Sequence, residues 1–141
     1  MALTDDAHIE LRPIGRVGSS LTSLDQAPRQ GDEGAPDATI TIRPELAPAL
    51  NGMAVGDEVI VLTWLDRGDR RVLEVHPRSE ASRPVQGVFT TRSPDRPNPI
   101  GLHTVTIVAI DGTTLTVADL EAIDGTPVLD LKPVLGPVTD R

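Results

Sequence analysis

Cysteine and tyrosine are absent from this chain, and its aromatic residues reduce to Trp64 and Phe89. The lack of cysteine excludes disulfides, thiolate zinc sites and cysteine nucleophiles. The lack of aromatics leaves the core to Val, Ile, Leu and Ala. Long apolar runs are missing too. The longest, Val59–Leu65, falls far short of the roughly 20 residues that cross a membrane as a helix. The opening MALTDDAHIE has neither the basic nor the apolar region of a signal peptide, so a cytoplasmic protein with no membrane partner is expected. His8, His76 and His103 lie scattered without ligand spacing, and no metal site is expected. Gly-rich nucleotide loops and the Gly-x-Ser-x-Gly elbow are also missing.

Basic charge is the scarcer sign. The 13 Lys and Arg stand against 21 Asp and Glu, a net charge of −8, which speaks against general nucleic-acid binding. The distribution is uneven. Between Arg67 and Arg96, seven arginines meet four carboxylates, a net of +3 on an otherwise acidic body. Such a patch suits a defined anionic ligand, or it is an ordinary set of surface arginines with carboxylate neighbours.

What the chain does have is turn chemistry: 12 Gly and 13 Pro in 141 residues, enough length for one domain. Between the turns lie short alternating or apolar runs that read as strands: 9–17, 38–43, 57–65, 70–76, 85–91, HTVTIVAI from His103, TTLTVADL from Thr113, and 126–132. Asp111-Gly112 marks a type I′ hairpin, and Pro44–Met53 a turn or two of helix. Residues 18–37 form a long loop of the kind that is usually functional or disordered. The expected fold is all-β: a single small β-barrel of about seven short strands, one short helical insert and long loops.

Three polar clusters stand on turns at strand ends: APRQG (27–31), TTRSPDRPNPIG (90–101) and IDGTPVLDLKP (123–133). Each alone is compatible with a well-built turn, but three together on a β scaffold mark where binding sites are found. In the second, Pro94, Pro97 and Pro99 remove N–H donors and fix the carbonyls around them. Preset carbonyls suit a weakly hydrated cation, and Arg92 or Arg96 is available to grip a carboxylate. A ligand with both a carboxylate and a sulfonium, such as S-adenosylmethionine, fits such a loop, as do many others.

GVFTTRSPDRPNPIGL (87–102) and IDGTPVLDLKP (123–133) closely resemble the two signature segments of the TrmO-like (YaeB/TsaA-like) family, and PIGRVGSS (13–20) and APRQ (27–30) are similar to its N-terminal elements. The resemblance spans roughly residues 9 to 135, leaving 1–8 as a flexible N-terminus and 136–141 as a tail without the C-terminal extension of longer members. It implies a β-barrel S-adenosylmethionine-dependent methyltransferase, usually a homodimer, acting on N6 of threonylcarbamoyladenosine at position 37 of threonine tRNAs. By motif, it places Pro28, Arg29, Gln30, Arg92, Leu102, Leu120 and Glu121 at the cofactor. Asp124, Asp130 and Lys132 match signature positions, and either aspartate is a candidate to take the acceptor's proton, against a turn-capping role. Val134 stands where the signature commonly has tyrosine, removing a stacking surface for a base. That departure, the missing extension and the acidic charge keep open a small-molecule acceptor, or a non-catalytic S-adenosylmethionine-binding module.

Overall fold

The computed structural model describes residues 8–21, 37–76 and 82–136. Eight strands follow in chain order: β1 (Gly15–Gly18), β2 (Ala38–Ile42), β3 (Glu58–Trp64), β4 (Glu74–Val75), β5 (Gln86–Gly87), β6 (Ile100–Asp111), β7 (Thr114–Ala118) and β8 (Pro127–Pro133). Six of them form one antiparallel sheet in the order β1-β2-β7-β6-β3-β8. The pairing of β1 with β8, Gly15 opposite Val128, closes that sheet into a barrel.

Alternation explains the inward set. β3 and β7 bury every second residue, so Val59, Val61, Leu115 and Val117 meet Val17, Ile40, Ile42, Val105, Ile107 and Val128 inside. Burying each such side chain contributes about 1.5–3 kcal/mol. Leu120 and Ala122, beyond β7, plug one end. Two register shifts, at Leu62/Thr63 against β8 and Ile107/Ala109 against β7, add the local bends that closing six strands into a ring requires.

Three expectations change. The run at 70–76 is not a barrel strand, because both edges of β3 before it are already taken by β6 and β8. It contributes only β4, which pairs with β5 outside the barrel, and the run after β5 becomes a 3-10 turn over Val88–Thr90. The short helical insert expected from Pro44 is present, as a 3-10 helix over Pro44–Leu50 with Pro48 inside it. The hairpin loop is Gly112-Thr113, with positive φ on Gly112 (59°) and not on Thr113, a II′ rather than I′ pattern.

Candidate functional site

The Arg92–Pro99 segment is held stiff by its own side chains as well as by proline. Arg96 donates from Nε to the Ser93 carbonyl (2.8 Å) and from Nη2 to those of Val88 (2.5 Å) and Thr91. Asp95 Oδ1 accepts the Asp69 amide at 2.9 Å. Arg70 donates to the Pro97 carbonyl (2.6 Å) and to Asn98 Oδ1 (2.9 Å), with its guanidinium 5.2 Å from the Trp64 ring centroid. The Pro99 carbonyl accepts the Leu65 amide. These groups are therefore spent on the loop itself. The Ser93, Pro97, Asn98 and Pro99 carbonyls are thus bonded within the protein, and Arg96 is a structural clamp. Arg92 stands exposed beside it.

The open position lies at the end of that loop. β7 covers β6 only from Thr106 to Asp111. Below Thr106, β6 pairs with β3 alone. Leu65 N donates to Pro99 O at one end of the β3–β6 ladder and Ile107 N to Asp57 O at the other, so odd-numbered residues of β6 make the bonds to β3. Leu102 and Thr104 accordingly turn their N–H and C=O to the uncovered side, where no described residue bonds them. The Leu102 side chain itself points outward and is 43% exposed.

The chain leaving β7 passes this edge. Asp119 takes φ 70° and breaks the strand, which sends Leu120 into the core with 0% exposure. Its side chain is thus packing, and only its main chain is available to a ligand. Glu121 follows. Its Oε1 accepts a 2.5 Å hydrogen bond from His103 Nδ1, which fixes the carboxylate against β6, one residue from Leu102. His103 Nε2 lies 2.7 Å from Thr63 Oγ1. Sequence reading singled out no role for His103 or Thr63, because their pairing depends on the β3–β6 register.

Asp124 Oδ1 accepts the Ser19 amide at 3.0 Å, while its own amide and that of Gly125 donate to Leu21 and Val17. This ties the DGTP turn to β1. Asp130 and Lys132 lie on β8 opposite Leu62 and Ile60, and they pair with each other at 3.0 Å. Asp124 and Asp130 therefore belong to different places. Pro28, Arg29 and Gln30 lie outside the described residues, in a segment that follows Leu21 and precedes Asp37. A separate concavity of about 500 Å³, lined by Ile9, Leu11, Trp64, Arg70, Asn98 and others, contains none of the expected site residues. Among the described residues, no cluster of His, Asp and Glu is placed to hold a metal.

Among the described residues, a small closed barrel whose β6 has an uncovered edge, flanked by a carboxylate and a stiff arginine loop, defines the class: a β-barrel with an open strand edge beside a polar site. Residues 16–140 match the profile of the tRNA-methyltransferase O N-terminal domain, and the chain belongs to that family. A probable S-adenosyl-L-methionine-binding protein of Methanothermobacter thermautotrophicus is 41% identical over 128 residues, 91% of each chain. An S-adenosyl-L-methionine-binding protein of Archaeoglobus fulgidus is 43% identical over 86% of each. Two crystal structures of TrmO, one from Pseudomonas aeruginosa, superimpose with TM-scores of 0.73 and 0.74 at 28% and 29% identity over 92% of this chain. The chain spans only 57% and 58% of those two proteins.

Proposed function

We propose that this chain is an S-adenosylmethionine-dependent methyltransferase that methylates N6 of threonylcarbamoyladenosine at position 37 of threonine tRNAs, as a cytoplasmic homodimer. One observation carries the reading. Two separate sequence segments expected at the cofactor, at Leu102 and at Leu120–Glu121, converge on one strand edge whose backbone groups no described residue bonds.

The donor set fits the cofactor. The Leu102 main chain offers one donor and one acceptor, as the edge of an adenine requires, and the Glu121 carboxylate accepts from hydroxyl or ammonium groups. Arg92, exposed and without a partner among the described residues, is available to meet a carboxylate. When bound, S-adenosylmethionine supplies an electrophilic methyl group on sulfur. The chain's part is to hold the acceptor in line and to take its proton. We assign the proton to Asp130, which shares the outer face with Leu102 through Leu62, rather than to Asp124, which ties the DGTP turn to β1; both carboxylates have partners, Asp130 the Leu131 amide and Lys132, Asp124 the Ser19 amide. The same outer face exposes Ile100, Leu102 and Val108 along β6, an apolar strip suited to a second copy.

A small-molecule acceptor is the second reading. It is favoured by Val134 in place of a stacking aromatic and by the charge of −8. The test is mass spectrometry of nucleosides from threonine tRNA carrying the threonylcarbamoyl group, after incubation with protein and S-adenosylmethionine. A methylated threonylcarbamoyladenosine supports the first reading. Its absence, with cofactor binding demonstrated in the same sample, moves the assignment to a small acceptor.

A further inference from the structure

Thr63, His103 and Glu121 form a hydrogen-bonded chain from inside the barrel wall to its open edge. Thr63 Oγ1 to His103 Nε2 is 2.7 Å, and His103 Nδ1 to Glu121 Oε1 is 2.5 Å. Exposure rises along it: Thr63 is fully buried, the His103 side chain is 5% exposed, and that of Glu121 15%. A carboxylate only accepts, so Nδ1 carries the proton toward Glu121, and the Thr63 hydroxyl is left to donate to Nε2. That directionality uses every polar atom of the two buried residues. No buried side-chain polar atom among the described residues is left without a partner. His103 has no freedom to turn, and the carboxylate it holds has none at Oε1.

Glu121 Oε2 is different. Among the described residues it has no hydrogen-bond partner, and no Lys or Arg is paired with this carboxylate. Gly101 belongs to the same device, since a Cβ there would occupy the place of the Thr63 hydroxyl and stand 2.8 Å from His103 Nε2. Two residues with no solvent-facing role are thus arranged, at the cost of a glycine in a strand, to fix one carboxylate beside backbone groups that no described residue bonds.

We propose that His103 is a positioning residue: anchored by Thr63, it locks Glu121 so that Oε2 faces the open edge of β6 and accepts hydrogen bonds from the bound nucleoside cofactor. This rests on the cofactor reading above and adds the two residues through which Glu121 acts. A rigid acceptor loses less ordering entropy on binding than a free one. A hydrogen bond to a charged group is commonly worth about 10- to 100-fold in an equilibrium constant, and His103 is expected to act on that scale.

Calorimetry with S-adenosylhomocysteine tests it on four variants. His103→Leu removes both bonds and is expected to weaken binding about 10- to 100-fold. His103→Asn keeps a donor near the position of Nδ1 and is expected to restore binding to within a few-fold. Thr63→Val, which keeps the contact between His103 and Glu121, serves if His103→Leu does not fold, with an intermediate loss expected. In the wild type, the His103 Nδ1 proton resonance is expected to shift when S-adenosylhomocysteine is added. Normal affinity in His103→Leu, or equal loss in Leu and Asn variants, overturns the proposal, as does an Nδ1 proton indifferent to ligand. Glu121→Gln separates the two readings. Weak binding there with normal binding in His103→Leu sinks the positioning role alone, whereas no binding by the wild type sinks both.

Discussion

Gly101 leaves His103 no room for a neighbour with a side chain: a Cβ at residue 101 would stand 2.8 Å from His103 Nε2 and also collide with the Thr63 hydroxyl. The glycine of the PNPIG element is therefore fixed by packing inside the barrel, and no positive φ is involved. Gly101→Ala is expected to destabilise the fold by about 1–3 kcal/mol, the usual range for overpacking. The denaturant midpoint measures it, and an unchanged midpoint would mean that the Thr63–His103 pair yields easily.

Arg92 and Arg96 belong to one loop but are expected to answer differently. Arg96→Ala removes the donors of three carbonyls and should lower stability by about 1–3 kcal/mol, with loosening of residues 88–97 in amide exchange. Arg92→Ala should leave stability within about 0.5 kcal/mol and weaken S-adenosylmethionine binding in calorimetry. Equal cofactor affinity in a folded Arg92→Ala protein would remove Arg92 from the site.

The two aspartates of IDGTPVLDLKP are separated by the same logic. Asp124→Asn weakens the acceptor for the Ser19 amide and is expected to cost about 0.5–1.5 kcal/mol of stability, with turnover per folded molecule unchanged. Asp130→Asn should lower kcat at little cost to stability. The opposite pattern, read from thermal melts and methyl-transfer rates together, would reverse the assignment of the proton acceptor.

The Asp69 carboxyl is held below the usual aspartate range, first by the side-chain hydrogen bond from Arg71 and then by the Arg71 amide. A lowered folded value means that the contribution of Asp69 to stability is present above the unfolded pKa. It is lost as pH falls through the folded one. Both partners are solvent-exposed, so the contribution is small. Carboxyl NMR of Asp69 is expected to titrate at lower pH in the wild type than in Arg71→Ala.

The strands were legible where one face is buried. Val59, Val61 and Thr63, like Leu115 and Val117, alternate because the barrel interior takes every second side chain, and that period stands in the sequence. The fate of residues 70–76 was not legible, because local alternation is silent on whether a neighbour has an edge to spare, and β3 has none. At the site, the turn motifs pointed to Leu102 and Glu121, while the open edge beside them follows from where β7 stops. Asp119, with its φ of 70°, ends that strand without any glycine to announce it. His103 and Thr63 meet across 40 residues of sequence through the ladder register, which no spacing rule encodes.

The seam between β1 and β8 joins the first and last strands of the barrel, Gly15 and Arg16 to Val128 and Pro127. Until β8 emerges during synthesis, both β1 and β3 keep a bare edge, and the barrel stands open for want of its last stave. Non-local closure of this kind slows folding and leaves strand edges open to other chains meanwhile. Truncations that spare the loop segments but remove Pro127–Pro133 should therefore give aggregates rather than a smaller barrel.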